Sequence, residues 1–161
     1  MLLADAMLGR LAKWLRLLGY DTTYAATLPD HRIAARARAE GRIILTRDRE
    51  LARRKGIRSL YVDSQILEAQ IREVVSALGA PAPGTEPRCP RCNASLSHIG
   101  LDEVRARVPA FVLQQHDHFR QCQACDKIYW PGSHWQNVQS VVEPLLDRRD
   151  RDESRPSQER G

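Results

Sequence analysis

Cysteine spacing constrains this chain more than any other feature. The 161 residues include four cysteines, in two pairs of identical spacing, Cys89-Pro-Arg-Cys92 and Cys122-Gln-Ala-Cys125. Two residues between thiolates let one turn of backbone present both sulfurs to a single tetrahedral ion, with Zn–S bonds of about 2.3 Å. One such pair could be a redox motif. Two matched pairs, separated by a stretch long enough for a hairpin, read as a four-cysteine zinc ribbon. Two disulfides are the competing reading, and nothing else in the chain suggests an oxidising compartment. A closed four-thiolate site leaves no coordination position for a reactant. Zinc is therefore expected to hold a module together while the chemistry lies elsewhere.

The length suits one domain plus a metal-stapled module. The first nineteen residues are apolar enough to suggest a leader, but Arg10, Lys13 and Arg16 interrupt them at every third position, which leaves no uncharged segment of the kind a signal peptide needs. No run approaches the ~20 apolar residues of a membrane span. A cytoplasmic protein with no membrane contact is expected, with its thiols reduced and open to metal. Residues 1–80 hold 14 Lys and Arg against 9 Asp and Glu, while the rest of the chain balances, so the net charge of +5 resides in the first half. A basic domain favours polyanions such as RNA or DNA; solvated helix faces would give the same count.

Residues 1–79 alternate strand and helix patterns. A short apolar run leads to Asp5. Residues 6–18 carry Leu8, Leu11, Leu15 and Leu18 in the stripe of an amphipathic helix that Gly19 ends. Residues 21–25 suggest a strand and 30–40 an alanine-rich helix. Ile43-Ile44-Leu45 reads as a strand buried on both faces. A short helix over 49–55, a strand over 59–62 and an amphipathic helix over 64–78 complete the order. The fold class is α/β, a parallel sheet with right-handed crossovers and flanking helices. Residues 80–87, rich in Pro and Ala, read as a linker. Residues 88–146 form the zinc module, with a helix over 134–146, and the mixed-charge tail 147–161 is expected to be disordered.

Acidic residues stand where such sheets put their ligands, at the carboxyl ends of strands. Asp5 ends the first strand, Asp48 follows the buried one, Asp30 opens the second helix and Asp63 ends the last strand. Clustered carboxylates repel one another unless a cation binds, and hard oxygen donors suit Mg²⁺ or Mn²⁺. Simple helix N-caps are the competing reading for Asp30, Asp48 and Asp63, and Asp21 reads as a turn residue. A phosphate-receiver domain would need an acidic pair near the first strand and a late lysine. A haloacid-dehalogenase-type phosphotransferase would need D-x-D where Asp5-Ala6-Met7 stands. Neither pattern is present.

These residues carry a resemblance. Asp5-Ala-Met-Leu-Gly-Arg-Leu-Ala-Lys-Trp-Leu-Arg-Leu-Leu-Gly-Tyr-Asp21, then Gly41-Arg-Ile-Ile-Leu-Thr-Arg-Asp48, the cysteine pairs, and Tyr129-Trp130-Pro-Gly-Ser-His134 resemble the Mut-seven C-terminal RNase domain family over roughly residues 1–146. The resemblance implies a PIN-like nuclease domain over 1–79 followed by a zinc ribbon. It implies a metal-dependent ribonuclease in which Asp5, Asp30 and Asp48 match the acidic positions, with Asp63 as a possible fourth acid. Phosphodiester hydrolysis fits that set, because carboxylate-held metals can activate water and steady the leaving oxygen without a histidine base. Asp5 and Asp48 are the expected principal ligands of Mg²⁺ or Mn²⁺; Thr46 could hydrogen-bond a carboxylate or phosphate, although a strand-end threonine is equally ordinary.

Arg10, Lys13 and Arg16 on the first helix, and Arg47 and Arg49 beside Asp48, could grip phosphates. Trp14 reads as core. On the ribbon, Arg91 with Trp130 and His134 offers a basic and aromatic surface for unpaired bases, although small zinc modules also need such residues as core. The expectation is an endonucleolytic ribonuclease acting on single-stranded or structured RNA. The alternatives are a non-catalytic RNA-binding adaptor with a vestigial acidic site, and a toxin-like nuclease controlled by a protein partner.

Overall fold

A computed structural model describes residues 1–82 and 84–132. Pro83, the expected helix over 134–146 with His134, and the tail 147–161 lie outside the described residues.

The first sheet is built from β1 (Leu2–Ala4), β2 (Thr22–Tyr24), β3 (Ile43–Thr46) and β4 (Ser59–Tyr61), all parallel, in the order β2-β1-β3-β4. The chain builds outward from β1 to β2, crosses back over β1, and lays β3 and then β4 on the other side. Strand order therefore reverses between β1 and β3, whose register pairs Leu3 with Ile44 and Ala4 with Leu45. Helices α1 (Gly9–Leu17), α2 (Asp30–Glu40), α3 (Arg49–Ala52) and α4 (Leu67–Leu78) make the connections.

Side chains alternate across a strand, so neighbouring apolar residues enter two different cores. Leu2, Ala4 and Leu45 pack with Leu8, Leu11 and Leu15 of the α1 region and with Ile71 and Val74 of α4. Leu3 and Ile44 pack with Ile33, Ala37 and Leu51 on the opposite face. Burial on both faces explains the unbroken apolar runs in β1 and β3. Trp14 sits at the margin of the first core, as expected of a core residue.

Three boundaries differ from the sequence expectation. Residues Ala6–Leu8 form a 3-10 turn before α1, because the Asp5 carboxylate takes the Met7 amide (2.9 Å). Helix α4 starts at Leu67 because the amides of Asp63 and Ser64 donate to Glu73 (2.8 and 3.0 Å) and that of Ile66 to the Ser64 hydroxyl (3.0 Å). Helix α3 stops at Ala52, where Arg53 serves as its C-cap.

The second sheet is antiparallel, β5 (Leu96–His98), β6 (Arg120–Cys122) and β7 (Ile128–Tyr129), in sequence order. Two short helices, α5 (Leu101–Val104) and α6 (Ala110–Gln115), lie between β5 and β6. They fold over a core of Ile99, Val104, Val112 and Phe119. Spacing that admitted a simple hairpin thus holds a helical insertion as well. Among the described residues no helix is long and apolar enough to cross a membrane.

Candidate active site and metal centre

The reversal between β1 and β3 marks, at their carboxyl ends, the place where open parallel sheets take ligands. Asp5 follows β1 there and Asp48 stands two residues beyond β3. The Asp5 amide donates to Leu45 O (3.1 Å), continuing the sheet ladder past the end of β1. The Asp5 carboxylate, 5% exposed, accepts the Met7 amide on Oδ1 and the Thr46 hydroxyl on Oδ2. Thr46 is fully buried and its Oγ1 also accepts the Asp48 amide (2.9 Å). One hydroxyl thus links the two aspartates. Asp48 Oδ1 caps α3, accepting the amides of Glu50 (2.6 Å) and Leu51 (3.1 Å), and Oδ2 has no hydrogen bond among the described residues.

Asp30 and Asp63 are arranged differently. Asp30 is the exposed first residue of α2, whose N-cap is Pro29, so it is not a cap residue. Asp63 is exposed, and its carbonyl accepts Arg47 Nη2 (3.3 Å). Among the described residues no three carboxylates have oxygens close enough to share one ion; the cysteine quartet is the one such group of ligand-type side chains. The sheet brings Asp5 and Asp48 together and does not gather Asp30 or Asp63 with them.

Around this edge, Arg10 and Lys13 are exposed on α1. The Nε of Arg47 is buried without an acceptor among the described residues. The Arg49 guanidinium lies over the Tyr61 ring, 5.1 Å from its centroid. Tyr24, at the end of β2, donates to Ala6 O (2.9 Å) and lies across Gly9, where a Cβ would stand 2.8 Å from its phenol oxygen. The sequence reading did not select Tyr24, and it offered Thr46 as a hydrogen-bond partner of a carboxylate or phosphate without naming Asp5. An aromatic closing a strand was the available signal for the first; for the second, only the pairing of β1 with β3 reveals the contact.

The four cysteine sulfurs lie within 4.8 Å of one another. Across the pairs, Cys89 and Cys125 are 3.6 Å apart and Cys92 and Cys122 3.4 Å. Four sulfurs at about 2.3 Å from a tetrahedral ion stand about 3.8 Å apart, so spacing and donor type fit a metal such as zinc. The two knuckles share one backbone solution: the amides of Asn93 and Asp126 return to the carbonyls of Cys89 (2.9 Å) and Cys122 (2.8 Å). Both residues have left-handed φ, 70° and 59°, a conformation that Asn and Asp tolerate best among residues with a side chain. Tyr129 Oη lies 3.2 Å from Cys89 Sγ. Burial pushes the Cys89 thiol up, yet hydrogen bonds from Tyr129 and from the Cys92 and Arg91 amides outweigh it and bring the thiol down to about 6. Burial and the neighbouring Cys89 raise the Tyr129 phenol well above its ordinary value, which keeps it a donor. Burial raises the Cys122 thiol.

Arg16 corrects one expectation. It is 7% exposed, and its side-chain hydrogen bonds go to backbone carbonyls. Its Nε donates to Thr22 O (2.7 Å), and its Nη1 donates to Pro90 O (2.8 Å) and Arg91 O (3.3 Å) in the first knuckle. Burial lowers its pKa, and Cys89, Cys92 and Asp21 pull it back in part. Asn93 completes the joint: its Oδ1 accepts the Thr22 amide (3.1 Å) and its Nδ2 donates to Asp21 (2.8 Å), which also pairs with Arg42 (2.7 Å). Burial raises the Asp21 carboxyl, but the hydrogen bonds from Arg42 and Asn93 prevail and hold it below its ordinary value. Arg91 keeps an exposed side chain, and Trp130, 38% exposed, leans on Phe119 with ring centroids 6.4 Å apart. Trp130 also lines an apolar cleft of about 410 Å³ with Leu17, His98 and Tyr129.

Comparison with known proteins matches residues 1–142 to a family model described as the Mut7-C RNAse domain. No curated protein and no solved structure matches the chain.

Proposed function

The chain belongs to the Mut7-C RNase domain family, and from that premise we propose that it is a metal-dependent, endonucleolytic ribonuclease whose reaction takes place between Asp5 and Asp48. The observation that carries this reading is the Thr46 link, which ties the Asp5 carboxylate to the Asp48 backbone amide at the point where strand order reverses. Asp48 Oδ2 is free to ligate, and each Asp5 oxygen retains a lone pair beyond the one its hydrogen bond uses. Mg²⁺ or Mn²⁺ held there would supply an activated water and stabilise charge on the attacking and leaving oxygens. Asp30 and Asp63 act as outer acids. Arg10, Lys13 and Arg47 bind phosphates on either side of the cut. Residues 1–79 carry the chemistry. The zinc-bearing part from residue 88 onward positions RNA through Arg91, Trp130 and His134, the last of which lies outside the described residues.

One observation favours a second reading. Asp5 and Asp48 each already cap a helical turn, which would suffice for them in a non-catalytic RNA-binding adaptor. Cleavage of single-stranded RNA with Mg²⁺ or Mn²⁺ separates the two readings. Asp5→Asn and Asp48→Asn should each lose activity at least about a hundredfold, ~2.7 kcal/mol of transition-state stabilisation, while RNA binding is retained. Wild-type protein that cleaves no RNA with either metal would give the adaptor reading the field.

A further inference from the structure

Arg16 is a buried cation that pairs with no carboxylate among the described residues. Taking a guanidinium out of water costs several kcal/mol unless hydrogen bonds or opposite charge compensate. Its hydrogen bonds go to three carbonyl oxygens, and two of these, Pro90 O and Arg91 O, belong to the peptide groups between Cys89 and Cys92. The N–H ends of the same peptide groups belong to Arg91 and Cys92, inside the turn that carries the Cys89 and Cys92 sulfurs. The peptide bonds are trans, so each group presents its carbonyl to one side and its N–H to the other. Arg16 thus holds the carbonyl ends of two peptide dipoles of the first knuckle, and hydrogen bonds made through one peptide group polarise one another. Four thiolates around a divalent ion carry a surplus charge of about −2, and the cation at the far end of those dipoles opposes it.

We infer that Arg16, from a helix packed on the first sheet, is a positioning residue for the metal of the cysteine quartet. It orients the peptide groups between Cys89 and Cys92 and supplies the positive charge that a tetrathiolate centre needs nearby. Outer partners of this kind are worth ~10–100-fold in metal affinity. The coupling is reciprocal: if the first sheet strengthens metal binding through Arg16, bound metal steadies the first sheet by the same factor. Asn93 reinforces the joint, because the residue that closes the first knuckle holds Asp21 and the Thr22 amide at the start of β2. This inference concerns the cysteine site alone and stands whether or not Asp5 and Asp48 cut RNA.

The test uses the full chain. Zn²⁺ affinity is measured by chelator competition, and Co²⁺ affinity by titrating the sulfur-to-metal absorption of the substituted site. Arg16→Met should weaken both by ~10–100-fold. Arg16→Lys should fall between it and wild type, since lysine keeps the charge but loses the two-carbonyl fork. Arg72→Met, which removes an exposed charge on α4, serves as the control and should match wild type. Hydrogen exchange adds a readout that a self-contained zinc module would not move: stripping zinc from wild type should speed exchange at Thr22–Tyr24 in the other sheet, and do so less in Arg16→Met. If Arg16→Met does not fold, Arg16→Lys decides. Metal affinity within about twofold of wild type in Arg16→Lys together with any folded Arg16→Met, or exchange in β2 indifferent to zinc, overturns the assignment.

Discussion

Aspartate at position 48 performs two tasks that substitution can separate. Its Oδ1 caps α3, and its Oδ2 has no hydrogen bond among the described residues. Asparagine caps a helix as well as aspartate does, whereas alanine costs about 0.5–2 kcal/mol. Asp48→Asn should therefore unfold at the wild-type temperature yet be inactive, and Asp48→Ala should be both inactive and less stable; thermal melts beside cleavage assays check the pair. Asp5→Asn is less neutral. Relief of like-charge repulsion alone would let that variant gain stability, but the buried carboxylate accepts two hydrogen bonds, and asparagine offers Thr46 a donor where it needs an acceptor. Gly19, which ends α1, has φ of 97°, and a Cβ there would stand 2.6 Å from Thr85 Cγ2. Gly19→Ala should cost at least the ~1–2 kcal/mol of a left-handed residue with a side chain, read as a lowered denaturation midpoint. Asp5 and Asp48 were legible in the sequence because a strand end is a position the apolar pattern itself defines. For Thr46 a hydrogen bond to a carboxylate was legible too, but the identity of its partner, Asp5, was not, because the contact depends on β3 lying beside β1.

Among the elements, the parallel sheet and its helices followed from period-2 and period-3.6 patterns, and α2 runs over Asp30–Glu40 as the sequence suggested. Patterning was weakest where elements are short. The helices α5 and α6 have four and six residues, too few to establish a periodicity. The role of Arg16 was hidden for another reason: every third residue of a helix shares a face on average, yet the 100° step carries position 16 away from Arg10 and into the joint with the first knuckle. That joint has a pH dependence. Asp21, held low by Arg42 and Asn93, contributes stability that is complete above the unfolded carboxyl value near 3.8 and disappears as pH falls through its lower folded value. Between wild type and Asp21→Asn, the stability difference should shrink as pH falls below about 4; a difference independent of pH in that window counts against the ion pair with Arg42.

Across the whole molecule, charge and shape divide the work. The surplus positive charge lies in residues 1–80, on the same part of the chain as Asp5 and Asp48, and RNA affinity should fall linearly on a log–log plot against salt, with a slope of about −0.7 per phosphate contacted. Arg10→Glu, which disturbs no hydrogen bond among the described residues, should flatten that slope as well as weaken binding. The same slope in both proteins would remove Arg10 from the RNA path. The most direct measurement locates the catalytic cation itself. Crystals of the zinc-loaded protein soaked in Mn²⁺ should show anomalous density between Asp5 and Asp48 in wild type and none there in Asp48→Asn, with the cysteine quartet unchanged in both. Manganese absent from that gap in wild-type crystals, under conditions where the protein cleaves RNA, would contradict a cation shared by Asp5 and Asp48.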